Sequence, residues 1–336
     1  MSDGTTVEQR KSDRADQHDT NPSIPNGWFA VGFSRDLIAG DVKPIHYFGQ
    51  DLVLFRGRSG EPKVLSAYCP HIGAHLGHGG RVIGESIRCP FHGWQFDGDT
   101  GSCVQIPYCE RIPQKARVRA WDTVEKNRMI FVWHHAEQKP PSWEVPDIAK
   151  FADEDWSEPR HFELEVPVHM QDMAENNLDP IHFQFVHGMQ MSGETNISFG
   201  NEGRFLTATT KNEQDTPYGK FEMELITNTW GLGVSSVETA GMPGVGLYMF
   251  TSTTPIDAAT TVTRWLMTAT NNMVDLAGEE WFKGITRGVM DDLEIWTNKI
   301  HRAEPVFCEA DKLLVEFRRW CKQFYSSPEQ QTETQK

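Results

Sequence analysis

The chain has 336 residues, enough for two domains with separate cores. Its net charge of −15 excludes the extended basic surface that phosphate backbones require, so we expect no nucleic-acid partner. No stretch approaches the ~20 apolar residues of a membrane-spanning helix. The sequence has 6 cysteines and no recognisable secretory signal, so we do not expect a disulfide framework. This combination predicts a reducing, cytoplasmic location.

Composition along the chain predicts two ordered domains between two disordered ends. Residues 1–26 are polar and predict a disordered leader, and residues 326–336 predict a disordered tail. Residues 27–138 carry short strand-like runs broken by Gly and Pro, which is typical of a small antiparallel β domain. A Pro-rich bridge at 139–146 marks the start of a second domain, predicted to extend over 139–325.

The second domain is predicted to have an α+β fold. Its pattern indicates a helical segment around Val168 to Val186, followed by strands from about Arg204 to Thr270. A long helix is then expected from about Leu276 to Arg302, and a last one from Asp311 to Phe324. Strands flanked by blocks of helix indicate an antiparallel sheet with helices beside it.

The first chemical motif is a pair of short loops that each supply one Cys and one His. Cys69-Pro70-His71 is followed, after residues 72–88, by Cys89-Pro90-Phe91-His92. Two thiolates and two imidazoles suit a cluster with two chemically different irons, which is the Rieske [2Fe–2S] arrangement. The alternative is a tetrahedral zinc site with the same four ligands, although zinc fingers usually pair Cys with Cys and His with His.

The second motif places two histidines five residues apart, at His182 and His187, with Asp179 three residues before the first. Two imidazoles and one carboxylate hold Fe(II) while leaving positions open for O₂ and substrate. Asn176, Asp179 and His182 follow one another along neighbouring helical turns. His187 falls off that face, so the helix is expected to end or bend between the two ligands, and Pro180 gives a reason for a local break.

The carboxylate ligand must come from elsewhere, and the long C-terminal helix offers Asp291 and Asp292. The apolar stripe of this helix runs through position 292 and leaves 291 to one side. A carboxylate on a buried helix face is costly unless it is paired or bound to metal. Asp292 is therefore the predicted ligand, with Asp291 as the alternative.

Together these motifs resemble those of the Rieske non-haem iron oxygenases, in particular the 3-ketosteroid 9α-hydroxylase and sterol oxygenase subgroup. The resemblance spans residues 27–325. The residues that carry it are Cys69-Pro70-His71, Cys89-Pro90-Phe91-His92, Asn176 to His187, Asp292-Leu293-Glu294-Ile295-Trp296, Arg318-Arg319-Trp320 and Gln323-Phe324-Tyr325.

The resemblance implies a Rieske domain followed by a helix-grip-like catalytic domain. It implies a [2Fe–2S] cluster on Cys69, His71, Cys89 and His92, and a mononuclear Fe(II) on His182, His187 and Asp292. It also implies O₂ as co-substrate and an NADH-dependent reductase or ferredoxin as partner.

The same resemblance implies a homotrimer with head-to-tail contacts. Asp179 would then bridge His92 of one subunit to His182 of the next, and Asn176 would line the same junction.

By this resemblance the enzyme is a monooxygenase that hydroxylates a bulky, apolar, steroid-like substrate. Met- and Trp-rich strands are candidates for the pocket wall, with Met223, Trp230, Met242, Leu247, Met249, Trp265 and Met267 as the proposed lining. One alternative is a Rieske oxygenase that hydroxylates, demethylates or desaturates an aromatic or other small substrate. Alternatives from other classes are a Rieske electron carrier and a zinc-stabilised binding protein.

Overall fold

The computed structural model describes residues 24–188, 193–216, 219–241 and 243–326. Most of the predicted leader and tail, and Met242, lie outside these residues. The chain divides into two compact units, one of which is Asn26–Asp147 and the other contains Ile148–Lys336. Within the described ranges, no helix has the length and apolarity needed to cross a bilayer.

The first unit consists of three small antiparallel sheets. Their orders are β1-β11-β10, β2-β3-β4-β9 and β5-β6-β7-β8. The strands are β1 (Gly27–Phe33), β2 (Val42–Tyr47), β3 (Gln50–Arg56), β4 (Pro62–Ser66), β5 (Arg81–Ile83), β6 (Ser86–Arg88), β7 (Gln95–Asp97), β8 (Cys103–Gln105), β9 (Ala120–Trp121), β10 (Thr123–Lys126) and β11 (Met129–His134).

The two Cys/His loops are attached to the sheet β5-β6-β7-β8, one before β5 and one between β6 and β7. A buried cluster that includes Phe55, Leu76 and Phe96 also contains the side chains of Cys69 and Cys89. Each of these aromatic and aliphatic side chains is fully buried. The cysteine end of each loop is therefore anchored in the core of the unit.

The second unit is built on one seven-stranded antiparallel sheet with the order β12-β18-β17-β16-β15-β14-β13. Its strands are β12 (Arg160–Val166), β13 (Thr195–Gly200), β14 (Phe205–Thr216), β15 (Gly219–Trp230), β16 (Val234–Ala240), β17 (Leu247–Pro255) and β18 (Thr261–Ala269). Its helices are α1 (Met170–Asn176), α2 (Pro180–Val186), α3 (Asn271–Ala277), α4 (Glu280–Asn298) and α5 (Lys312–Cys321). The antiparallel, α+β character predicted from the sequence is confirmed.

Helix α4 is held on the sheet by a tryptophan near each end. Trp281 packs in a cluster with Trp265 and Met267, whereas Trp296 packs with Val166 and Met173. Buried tryptophans contribute a large apolar area, so this pair fixes the position of the helix along the sheet. The residues between the two anchors, including Asp292, are thereby placed above the sheet.

The predicted helices differ from the observed ones at their ends. The helical segment predicted around 168–186 forms two helices, because the chain breaks at 177–179, next to the Pro180 at which a local break was considered. The prediction of one continuous helix from Leu276 to Arg302 is wrong, because two helices occupy this part of the chain. Gly278 has φ +54° and separates α3 from α4, which begins at Glu280 and ends at Asn298. A positive φ is readily adopted by glycine and ends the preceding helix.

Candidate metal centres

The two Cys/His loops have the same backbone hydrogen bond. In the first, the amide of Gly73 donates to the carbonyl of Cys69 at 3.0 Å. In the second, the amide of Gly93 donates to the carbonyl of Cys89 at 3.2 Å. Gly73 and Gly93 have φ values of +80° and +74°, a left-handed conformation that favours glycine. The two loops are thus equivalent tight turns that present one Cys and one His each.

The two cysteines of these loops are neighbours of each other, and so are the two histidines. Cys69 and Cys89 are each only 3% exposed, and the imidazole rings of His71 and His92 are 4.7 Å apart at their centroids. Burial raises the pKa of the Cys69 thiol to about 11, a cost that a bound metal removes by stabilising the thiolate. The Nδ1 atom of His71 is buried without a hydrogen-bond partner among the described residues. Two thiols, two imidazoles and an unpaired ring nitrogen fit a Rieske cluster.

Two aromatic residues, neither of which was assigned a role from the sequence, support His71. The Trp94 indole stacks on its imidazole, with ring centroids 4.6 Å apart and planes 9° apart. The indole Nε1–H donates to the hydroxyl of Tyr108 at 2.8 Å. Trp94 follows Gly93 directly in the sequence, whereas nothing in the sequence connects Tyr108 to the loop. The stack fixes the orientation of the imidazole ring.

We predict that Gly93→Ala destabilises the second loop more than Gly73→Ala destabilises the first. Both substitutions force a side chain into the left-handed region, which costs about 1–3 kcal/mol. At Gly93 the added Cβ also lies 2.9 Å from Cγ of Pro107, whereas at Gly73 nothing lies within 4 Å. Thermal unfolding and acid-labile sulfide content measure the difference. Equal losses in the two variants would contradict the predicted steric contribution of Pro107.

In the second unit, Asp179 and Pro180 determine where α2 begins. Asp179 is the N-cap, and its Oδ1 accepts from the amides of Ile181 at 3.0 Å and His182 at 3.4 Å. Pro180 occupies the first turn, where a missing amide proton costs nothing. The helix ends at Val186, and His187 is its C-cap, with its amide donating to the carbonyl of Phe183 at 3.2 Å. The predicted end between the two histidines is present in the structure.

His182, His187 and Asp292 converge on one point, with one ligand atom of each within 4.8 Å of the others. His187 Nε2 lies 3.4 Å from Asp292 Oδ1. The Nδ1 of His182 is hydrogen bonded to the backbone carbonyl of Asp179, so Nε2 is the ring nitrogen that would bind a metal. Asn176 Nδ2 donates to Asp292 Oδ2 at 3.2 Å and lies 3.4 Å from His182 Nε2.

Burial disfavours the charged forms of Asp292 and His182. Burial raises the pKa of Asp292, and burial lowers the pKa of His182, which favours the neutral imidazole that metals bind. Asp292 is only 7% exposed, and a cation would offset the cost of its buried charge. His187 Nδ1 is buried and lacks a partner within the described ranges. The triad therefore fits a mononuclear iron.

Of the two aspartates considered from the sequence, Asp291 is exposed and Asp292 is buried beside the histidines. Their position on α4 places only Asp292 with the triad. Its role as the ligand stays a prediction.

A second group of buried His and Asp side chains lies at His169, Asp172 and His301. Lys299 Nζ is 3.0 Å from Asp172 Oδ1, and His301 Nδ1 is 3.1 Å from Asp172 Oδ2. Although burial opposes it, His301 and Lys299 hold the pKa of Asp172 below its usual value. Because the lysine ammonium already supplies the positive charge, we interpret this group as a structural ion-pair network.

A cavity of about 590 Å³ opens beside the triad, within the ~300–1,000 Å³ range of ligand sites. Of the predicted lining residues, Leu247, Met249 and Trp265 line it. Met267 is fully buried in the cluster around Trp281 instead. Met223 and Trp230 are not part of the lining either. The wall that does line the cavity is predominantly apolar.

Comparison with known proteins relates both units to one enzyme class. Residues 27–119 match the Rieske [2Fe-2S] domain, and residues 132–325 match the 3-ketosteroid 9α-hydroxylase C-terminal domain. The cholesterol 7-desaturase of Ciona intestinalis is 32% identical over 92% of this chain and 70% of its own length. The 3-ketosteroid-9-alpha-monooxygenase oxygenase component of Rhodococcus rhodochrous is 29% identical over 89% of this chain and 82% of its own.

Dicamba monooxygenase bound to dicamba has a similar fold, with a TM-score of 0.74 at 18% identity, covering 94% of this chain and 100% of that one. The matches establish the cofactors as a Rieske [2Fe–2S] cluster and a mononuclear iron, with O₂ as co-substrate. As an oxygenase component, the protein works with a reductase. The chain belongs to the Rieske non-haem iron oxygenases, in the group that carries the 3-ketosteroid 9α-hydroxylase C-terminal domain.

Proposed function

We propose that this oxygenase hydroxylates a bulky, apolar, steroid-like substrate with electrons from an NADH-linked reductase. The observation that carries the proposal is the cavity of about 590 Å³ beside the triad, whose walls include Leu247, Met249 and Trp265. An apolar wall favours a substrate with few polar groups, because unpaired polar atoms are costly to bury. The named activities of the two relatives described above, on cholesterol and on a 3-ketosteroid, support the same substrate class.

In this proposal His182, His187 and Asp292 hold the mononuclear iron, which supplies O₂ activation when bound. Asn176 orients the carboxylate of Asp292 through its 3.2 Å hydrogen bond. The Asp179 carbonyl keeps the proton of His182 on Nδ1 and so directs Nε2 toward the metal. The apolar cavity wall limits the access of water to the reacting carbon.

Cys69, His71, Cys89 and His92 hold the electron-relaying cluster in the same proposal, and the Trp94 indole keeps the His71 ring in place. None of the 6 cysteines, all of which lie within the described ranges, forms a disulfide, which supports a cytoplasmic location.

We further propose a head-to-tail homotrimer in which Asp179 links His92 of one subunit to His182 of the next. Exposed apolar side chains support such a contact. Ile72 and Phe91, in the cluster loops, are 59% and 62% exposed, and Phe185 on α2 is 78% exposed. Each of the two surfaces that such a contact would bring together therefore exposes large apolar side chains, which a partner subunit would cover.

Substrate-dependent O₂ uptake tests the proposed function. The metal-loaded protein, supplied with NADH and a surrogate reductase, is assayed with steroids and with small aromatic acids. We expect uptake and an oxygenated product with steroids. Turnover of an aromatic acid together with indifference to steroids would favour the small-substrate alternative.

A further inference from the structure

The floor of the cavity carries a set of threonine side chains. They lie at odd-numbered positions, and alternate residues of a strand point to the same face of a sheet. Those that line the cavity are Thr227, Thr239, Thr251, Thr253 and Thr263. An otherwise apolar floor therefore offers hydroxyl groups at a few defined points.

Three of these hydroxyls are already used within the protein. Thr253 Oγ1 donates to Thr263 Oγ1 at 3.3 Å, and Thr239 Oγ1 accepts from the amide of Leu247 at 3.1 Å. The side chains of Thr227 and Thr251 have no hydrogen bond to any other described residue, and Thr227 is only 3% exposed. Because both side chains line the cavity, a ligand oxygen can accept a hydrogen bond from either hydroxyl, and each such bond adds affinity.

The surroundings define the chemistry of that ligand atom. Apart from the triad, the charged residues of the cavity lining are Glu280, Arg287 and Asp291, all exposed side chains on α4. The cavity residues paired with or next to the two threonines are neutral, namely Val237 beside Thr227 and Trp265 beside Thr251. The two hydroxyls therefore suit a ketone or an alcohol rather than a charged group.

The strand register gives the separation of the two hydroxyl groups. Thr227 on β15 is paired with Val237 on β16, which is paired with Met249 on β17, two residues from Thr251. With strands ~4.8 Å apart and a rise of ~3.4 Å per residue, the two Cα atoms are about 12 Å apart. One oxygen atom cannot reach both hydroxyls, so each would bind a different end of an elongated molecule.

We propose that Thr227 and Thr251 are polar anchors for neutral oxygen functions at the two ends of an elongated, fused-ring substrate. This inference rests on the proposed function and deepens it, because it assigns specificity to two residues of the same site. The anchors fix how the molecule lies along the floor and so determine which carbon faces the triad.

Equilibrium binding tests the anchors without turnover. Trp265, Trp281 and Trp296 line the cavity, so their fluorescence reports occupancy. The probes are 5α-androstane, its 3-ketone, its 17-ketone and its 3,17-diketone, bound to the holoenzyme. The wild-type protein is expected to prefer the diketone to the hydrocarbon. Thr227→Val and Thr251→Val each keep the shape of the side chain and are expected to reduce that preference about 3- to 10-fold, the contribution of one hydrogen bond.

Thr286→Val on α4 is the matched control, because Thr286 is not among the cavity-lining residues and its hydroxyl donates to the carbonyl of Phe282 at 2.9 Å; it should keep the wild-type preference. If Thr227→Val and Thr251→Val both keep the wild-type preference for the diketone, the proposal that these threonines bind the substrate is refuted. O₂ uptake with the same probes separates the two proposals. If the diketone binds through the two threonines but no probe is turned over, the proposed function is contradicted and the threonine anchors are supported. If the probes are turned over but both variants keep the wild-type preference for the diketone, only the threonine anchors are contradicted.

Discussion

Asp292→Asn is expected to remove the mononuclear iron while the Rieske cluster remains. The substitution preserves the shape of the side chain but removes the negative charge that balances a cation bound by His182 and His187. Changes to groups that merely orient metal ligands cost about 10–100-fold in affinity or activity, so loss of a ligand should cost more than 100-fold in turnover. Iron content should fall while acid-labile sulfide and the visible absorption of the cluster stay at wild-type levels.

Asp291→Asn is the matched control for this experiment. It changes the charge by the same amount on the same helix, but Asp291 is exposed whereas Asp292 is 7% exposed. Iron content and turnover should both remain close to wild type in the control. Full iron content in Asp292→Asn, together with its loss in Asp291→Asn, would reverse the assignment of the ligand.

The position of Asp292 could be predicted because helix geometry connects sequence spacing to burial. The apolar stripe of α4 includes Ile285, Val289 and Trp296, and position 292 lies on it. A buried carboxylate in such a stripe requires a partner. His182 and His187, the two predicted histidine ligands, lie beside Asp292. By contrast, the predicted start of this helix is too early, because the helical pattern continues through Gly278, whose φ of +54° ends α3.

The cavity wall could be predicted only in part. Residue type and strand alternation indicate which face a side chain occupies, and Met249 and Met267 are on the same face, paired across β17 and β18. Only Met249 lines the cavity, because the Trp281 cluster covers Met267. Which part of a sheet lies under a helix depends on long-range packing. The unpaired hydroxyls of Thr227 and Thr251 became recognisable only once that packing was known.

Asp179→Asn is expected to retain both metal centres and to lose turnover. The Asp179 side chain has a structural role as well, since its Oδ1 caps α2 through the amides of Ile181 and His182. Asparagine is as good an N-cap as aspartate, so this variant removes the charge and preserves the start of the helix. If the carboxylate links His92 of one subunit to His182 of the next, its loss should slow turnover by at least about 10–100-fold.

Asp179→Ala separates the two roles of the side chain. It removes the charge and the cap together, and loss of an N-cap costs about 1 kcal/mol, so its melting temperature should fall below that of Asp179→Asn. Both variants should bind iron, because His182 Nδ1 is hydrogen bonded to the backbone carbonyl of Asp179, which neither substitution removes. Rapid-mixing absorbance, with reduced protein, substrate and O₂, should show slow reoxidation of the cluster in both. Wild-type reoxidation in Asp179→Asn, with a defect in Asp179→Ala alone, would mean that the side chain acts only by capping α2.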